Sequence, residues 1–374
     1  MAERYSQVET KTNEIGCGGA KLRKIRIGIL TWYYAMNHGA RAHTYALLHT
    51  LRKMGYEAEI IAYKPWRSYK DIERYWFVTR NIPLMLEKFK YRLSFKLTEK
   101  DYKFLSRKVR SAKEIDNLGY DLIILGSDEI FNIKHLITSK DYTYFGVGIE
   151  KTSMITYAVS CGQSEEKVQW PMEVINYVKR IKALSVRDVN SQRIIEANTG
   201  RKAELVLDPT LLFDFSSLAD KDWSYRDYIL IYAFGFIDDY KEQIINYAKE
   251  YSKKIICVGN KYEWADVNIK YPSQYQWYAA FEHASLVITN SFHGTIFALK
   301  NNKPFVIIFM DDKVTKISNL LEQLGIKYEE HLLTRKNSVK ECLKNPLVFG
   351  DINLKIEKEY NISINYVRKG LASV

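Results

Sequence analysis

Thr289-Asn290-Ser291-Phe292-His293-Gly294-Thr295 sets one imidazole beside a glycine, between the apolar run Ser285-Leu286-Val287-Ile288 and the helix-like segment Thr295-Ile296-Phe297-Ala298-Leu299. A second apolar run, Pro304 to Ile308, follows. The order is strand, tight turn, helix, strand. A helix start presents unpaired N–H groups and a partial positive charge, so anions bind there. An imidazole titrates near neutrality. His293 is therefore placed to exchange protons beside a bound phosphate or carboxylate.

Four further polar clusters close apolar runs: Asn37-His38-Gly39, Gly126-Ser127-Asp128-Glu129, Arg187-Asp188 and Asp208-Pro209-Thr210. In open parallel sheets, ligands bind beyond the carboxyl ends of the strands, so all five clusters belong to equivalent edges. Each also has a structural role open to it. Arg187 either pairs with Asp188 or grips an anion with its planar fork. Asp128 and Glu129 either cap the next helix or act as general bases. Asp208-Pro209 reads as a turn, and Asn37-His38-Gly39 as a turn or a ligand contact.

The elements that must carry these clusters are strands and helices in alternation. Ile25–Leu30 is a short buried strand; Ala42, Tyr45, Ala46, Leu48 and Leu51 then recur at helical spacing, and Glu59–Tyr63 is a second strand. Strand, helix, strand implies a parallel sheet. It resumes at Asp121–Leu125, Ser153–Ala158, Ala183–Val186 and Glu204–Leu207. A polar stretch over 214–227 separates this unit from a second alternation, with strands at Tyr228–Tyr232 and Lys254–Val258 and helices near 238–251 and 316–324. The expected fold is α/β, with two Rossmann-like domains facing across a cleft. Residues 24–220 form the first and 221–374 the second, after a disordered lead-in over 1–23. Residues 64–118, rich in Lys, Arg and aromatics such as Trp66, Arg67, Tyr75 and Trp76, read as several amphipathic helices inserted in the first domain. Their basic face is either solvated or set against anionic headgroups.

Composition narrows the partners. Fifty-six Lys and Arg against 44 Asp and Glu leave +12, which favours nucleic acid, acidic lipid or phosphorylated small molecules. Zinc-finger and RNP-like patterns are absent, so nucleic acid is not expected. The four cysteines are scattered, with no CxxC, which argues against a disulfide framework or thiolate zinc site and fits a reducing compartment. No apolar run is long enough to span a bilayer, and the first 21 residues lack a signal core. The expectation is a cytoplasmic protein that requires no metal.

Taken together, the motifs resemble those of the polysaccharide pyruvyl transferase family. The resemblance rests on Thr289–Thr295 with Lys303-Pro304-Phe305, on Gly126–Glu129, Tyr157-Ala158-Val159-Ser160, Ser185-Val186-Arg187-Asp188 and Asp208-Pro209-Thr210-Leu211-Leu212, and on Gly28-Ile29-Leu30-Thr31 with Asn37-His38-Gly39. It implies a GT-B-like domain pair and transfer of a pyruvyl group from phosphoenolpyruvate, with no other cofactor, to glycan hydroxyls as a ketal. The implied acceptors are sugars on a polyprenyl-diphosphate carrier at the inner face of a bacterial membrane, in capsular or cell-surface polysaccharide synthesis. The implied catalytic residues are His293, Asp128 and Glu129. Donor contacts fall to Arg187, Ser291, Gly294, Thr295, Lys303 and Lys316, and acceptor contacts to Tyr33, Asn37 and His38. Some members carry Arg-Leu-His-Gly where this chain has Ser291-Phe292-His293-Gly294, so Arg187 and a lysine such as Lys303 or Lys316 must supply the charge. The position of His38 is commonly aromatic, and Ala40-Arg41-Ala42-His43 also departs from the usual run. Two other readings fit the same scaffold: a glycosyltransferase using a nucleotide sugar, and an inactive glycan-binding protein.

Overall fold

The computed structural model describes residues 23–65, 81–98, 103–310 and 314–372. The expected lead-in, but for its last residue, lies outside the described residues, as do Trp66, Arg67, Tyr75 and Trp76 of the insertion. The first unit runs β1 (Arg26–Leu30), α1 (His38–Lys53), β2 (Glu57–Ile60), α2 (Ile82–Thr98), α3 (Ala112–Asp116), β3 (Leu122–Leu125), β4 (Ser153–Thr156), α4 (Met172–Arg180), β5 (Ser185–Val186), α5 (Val189–Thr199) and β6 (Glu204–Leu205). The second runs β7 (Tyr228–Tyr232), α6 (Lys241–Glu250), β8 (Ile255–Val258), β9 (Val267–Ile269), α7 (Gln274–His283), β10 (Ala284–Thr289), α8 (Phe292–Lys300), β11 (Phe305–Ile308), α9 (Val314–Gln323) and β12 (Leu332–Leu333). The chain ends in α10 (Val339–Cys342) and α11 (Phe349–Ala372).

Both sheets are parallel, and their central strands read as unbroken apolar runs because helices cover both faces. The first has the order β2-β1-β3-β4, and single bridges from Ile155 to Ala183 and from Val159 to Val186 attach the pair β5-β6 beyond β4. The second has the order β12-β11-β10-β7-β8-β9. Strand order reverses between β1 and β3 in one sheet and between β7 and β10 in the other. Crevices open beyond the strand ends at such reversals. The loops leaving β3 and β10 carry Gly126–Glu129 and Asn290–His293, which sets these motifs at the two switch points.

Helix α1 joins the units. Asn37 caps it by accepting the Ala40 N–H at 3.0 Å, and twelve of its residues, from His38 to Leu51, are buried. Its start meets the second unit: His38 Nδ1 lies 3.0 Å from Gln274 Oε1, and the ring stacks on Trp277 at 5.6 Å. One apolar cluster accordingly runs from Ile27 and Leu122 through to Trp277 and Phe297.

Two expectations from the sequence need correction. The last helix, α11, is not confined to the second unit. Its Ser363 hydroxyl accepts the Leu207 N–H at 2.9 Å, Tyr366 donates to the Thr156 carbonyl at 2.7 Å, and Gly370 lies against Ile155. The assignment of all of 221–374 to the second domain therefore fails at the C-terminus: an amphipathic stripe does not reveal which sheet it will cover. The insertion, where described, is not helical throughout either. It holds one long helix, α2, and the short α3; between them Leu105 bridges Ile60 and Val109 bridges Tyr63, so this segment extends the sheet edge beside β2.

Candidate active site

Six side chains from five segments meet where the units face each other. The loop after β3 supplies Ser127 and Asp128, the end of β5 supplies Arg187, and the turn after β6 supplies Asp208. Helix α1 adds His43, and the first turn of α8 adds His293. Arg187 is 6 % exposed and splits its fork between two carboxylates, Nη2 to Asp128 Oδ1 at 2.9 Å and Nη1 to Asp208 Oδ2 at 2.8 Å. Its guanidinium face covers the Phe292 ring at 4.7 Å. Asp208 also accepts the Thr210 N–H and hydroxyl at 3.0 and 2.6 Å. His43 Nε2 lies 3.3 Å from Asp128 Oδ2, and its Nδ1 lies 2.8 Å from the Ser127 hydroxyl. With the proton on Nε2, the ring donates to Asp128 and accepts from Ser127. The two imidazoles stack at 6.0 Å between centroids, and His293 Nε2 stands 3.8 Å from Asp208 Oδ2, too far for a hydrogen bond.

The backbone explains why these residue types occur together. Gly126 has φ +137°, and a Cβ there would lie 2.1 Å from the Tyr157 carbonyl, so only glycine lets the β3 loop turn against β4. Asp128 follows with φ 80°, a conformation that non-glycine residues rarely adopt and that is typical of ligand-facing loops. Asn290 clasps the neighbouring loop with its amide, accepting the Phe234 N–H at 2.9 Å and donating to the Phe234 carbonyl at 2.8 Å. Ser291 caps α8. Gly39 is needed for space: a Cβ would sit 2.2 Å from His293 Nδ1.

The electrostatics follow from burial and pairing. Burial opposes the charge on Asp128, but Arg187 and the His43 hydrogen bond outweigh it and hold the carboxyl well below the usual range. Asp208 is likewise lowered: burial would raise it, and the adjacent positive charge, of His293 when protonated and of Arg187, prevails. Burial pushes His293 down to about 4 against the pull of Asp208, so its ring is neutral near pH 7. Arg187 keeps its charge, because the two aspartates overcome its desolvation. Two carboxylates and one guanidinium sum to −1 beside the neutral His293 ring.

The expected site residues divide on this geometry. His293, Asp128 and Arg187 converge. Glu129 and Lys316 form an ion pair from the two sides of the cleft, beside them. Arg187 has no free fork for a donor, since both halves hold aspartates. Ser291 and Thr295 serve α8: the first accepts the Gly294 N–H at 3.4 Å, and the second donates to the Ser291 carbonyl at 3.2 Å. Gly294 packs on Thr289 and Tyr232. Lys303 lies at the opposite end of the sheet, beside Glu282, because it precedes β11 whereas the site follows β10. Asn37 is spent on its cap. His38, held at about 3 by burial, is packed between the units, and Tyr33 is 3 % exposed. These three do not form an open acceptor surface.

The sequence motifs do not mark His43 as a site residue, and Asp208-Pro209 reads as a turn. A signal for His43 exists: it follows Gly39 by four residues, so both lie on one helix face. Ser127, His43 and Asp128 repeat a hydroxyl–imidazole–carboxylate relay, but Ser127 is wholly buried and not placed as an exposed nucleophile. Among the described residues no group of His, Cys, Asp and Glu has the arrangement of a metal site, and no helix is long and apolar enough to cross a membrane.

Solved structures with the same architecture include the UDP-GlcNAc 2-epimerase of Neisseria meningitidis bound to UDP-GlcNAc, at TM-score 0.51 and 12% identity over 93% of this chain and 100% of that one. The S. aureus MnaA–UDP structure matches at TM-score 0.50 and 10% identity, over 94% and 98% of the two chains. At such identity the likeness establishes the fold, a GT-B-like pair of Rossmann-like domains. Among curated proteins no sequence match is found. The polysaccharide pyruvyl transferase family model matches residues 37–309, a span that includes His43, Asp128, Arg187, Asp208 and His293, and the chain belongs to that family.

Proposed function

We propose that this chain transfers the pyruvyl group of phosphoenolpyruvate to two hydroxyls of a sugar, forming a cyclic ketal and releasing inorganic phosphate. The acceptor class is a sugar on a polyprenyl-diphosphate carrier, used in cell-surface polysaccharide synthesis. The reaction balances without a further cofactor. Two acceptor oxygens bond to the central carbon, and the bond from that carbon to the phosphate oxygen breaks. Of the two hydroxyl protons lost, one is made good on the methylene carbon, which becomes a methyl, and the other leaves with the phosphate.

The observation that carries the reading is His293: a neutral, buried ring whose Nε2 lacks a hydrogen-bond partner among the described residues, set between the units beside two ionised aspartates. A donor phosphate or carboxylate next to that ring favours the imidazolium. The donor thus loads the general acid that protonates its own methylene carbon. Lys316 and the N-terminal N–H groups of α8 hold the donor anions, with Lys316 exchanging Glu129 for the ligand. Asp128, His43 and Asp208 orient the ring and accept charge as it develops. Arg187 positions the two aspartates rather than gripping the donor.

The test is mass analysis and phosphate release after incubation with phosphoenolpyruvate and a panel of lipid-linked sugars. His293→Gln should lower transfer by about 10²–10⁴-fold while donor affinity changes far less. Undiminished turnover would remove the histidine from the mechanism. Consumption of a nucleotide sugar in place of phosphoenolpyruvate would replace the reading with glycosyl transfer. Acceptor binding without turnover on any donor would make the chain a binding protein.

A further inference from the structure

One face of α2 is apolar and is exposed among the described residues. Ile82, Met85, Leu86, Phe89 and Leu93 recur at spacings of three and four, so they form one stripe. They are 66, 42, 55, 59 and 44 % exposed. The opposite face is fixed to the protein. Tyr91 donates to the Met36 carbonyl at 3.1 Å, and Glu87 pairs with Lys270 at 2.6 Å. Phe95 packs on His38 at 4.6 Å, and its carbonyl accepts from Arg41 Nη1 at 2.6 Å. The helix is therefore turned inside out relative to an ordinary surface helix, whose apolar stripe faces the core.

The charges around the stripe say what covers it. Lys88, Lys90, Arg92 and Lys96 lie on the same helix, and Glu87, its one acid, already meets Lys270. Lys90 is exposed at one edge of the stripe, and Lys96 is exposed at its C-terminal end, one turn after Leu93. A second copy of this chain docked on the stripe would bring these cations against their own kind, an arrangement that repels. An apolar face edged by cations suits the boundary between anionic headgroups and acyl chains.

We propose that α2 lies in the plane of an anionic bilayer surface. Ile82, Met85, Leu86, Phe89 and Leu93 enter the acyl boundary, and Lys90 and Lys96 meet the headgroup phosphates. Seventeen residues make a contact about 25 Å long. Because the inner face of α2 rests on His38 and Arg41, at the start of the helix that also carries Gly39 and His43, docking sets the candidate site near the lipid surface.

The test is sedimentation of the full chain with vesicles of phosphatidylcholine alone or mixed with phosphatidylglycerol. It needs neither donor nor acceptor, so its outcome is separate from that of the transfer assay. The chain should pellet with the anionic vesicles, less so as salt rises. Phe89→Glu should lower partitioning about tenfold or more, and Lys90→Glu should lower it by roughly fivefold or more. Both positions are exposed, and thermal unfolding checks that the variants keep their fold. A wild-type chain that stays in the supernatant with anionic vesicles would overturn the proposal, as would a Phe89→Glu variant that binds equally well. A wild-type dimer that Phe89→Glu dissociates, without vesicle binding, would give the stripe to a second copy and also refute it.

Discussion

Replacing Arg187 with methionine removes the cation from between two buried carboxylates while keeping a stem that can still cover Phe292. Asp128 and Asp208 each lose a hydrogen bond at 2.9 or 2.8 Å, and both side chains are largely buried. Breaking a buried charge pair typically costs about 3–5 kcal/mol, because the partner left behind is uncompensated. At about 2–4 °C per kcal/mol for a unit of this size, the melting temperature should fall by roughly 6–20 °C near pH 7.5. The sign of the pH dependence is set by the aspartates. In the native chain both are held below their unfolded values, so they stabilise the fold above an unfolded carboxylate pKa of about 4, and this contribution is lost as pH falls through the folded values. Without the guanidinium, each carboxyl loses a charge that holds it down, while burial still pushes it up. The folded variant then takes up a proton more readily than the folded wild type, on a carboxylate or on the adjacent His293. It should therefore lose less stability than the wild type as pH falls from neutral towards about 5. The gap between wild type and Arg187→Met should therefore be widest near pH 7.5 and narrower near pH 5. Thermal unfolding at the two pH values checks it. A gap under about 1 kcal/mol, well below the expected cost of breaking a buried pair, would refute the view that Arg187 holds the aspartates. So would a gap unchanged between the two pH values.

Gly39→Ala forces a Cβ to within 2.2 Å of His293 Nδ1. Transfer should drop by about 10²-fold, as expected of a misplaced catalytic group, with the circular dichroism spectrum retained; wild-type activity would show that the ring has room to move. His38 and His293, held at about 3 and 4, must stay neutral in the fold, whereas an unfolded histidine titrates near 6.5. Wild-type stability should then fall as pH drops below about 6.5, by up to roughly 1.4 kcal/mol per pH unit for each ring. His38→Phe should remove one share of that slope, measured as urea midpoints against pH. Finally, donor binding should take up a proton from solution, because the site is net negative and its ring neutral beforehand. Calorimetry in buffers of different ionisation enthalpy reads this directly, and a buffer-independent enthalpy would contradict it.

The βα alternation was legible because parallel strands buried on both faces read as unbroken apolar runs, as Asp121–Leu125 and Tyr228–Tyr232 do. The polar clusters at the strand ends were legible for the same reason, since the edge of a parallel sheet is set by chain direction alone. Val267–Ile269 was missed because three half-buried residues carry no period. Partnership is harder to read than position. Arg187 bonds residues 59 and 21 positions away, and nothing in Ser185-Val186-Arg187-Asp188 distinguishes an anion clamp from a spacer between aspartates. Asp188, adjacent in sequence, instead caps α5 by accepting the Ser191 N–H at 2.7 Å. Lys303 shows the converse. It stands ten residues after His293, yet one helix carries the chain back across the sheet between them, so proximity in sequence becomes opposition in space. The chemistry depends on such closures. A fork whose two ends already hold aspartates is poorly placed to grip a donor as well. In the proposed function, anion binding accordingly falls to Lys316 and the start of α8, and the proton to His293.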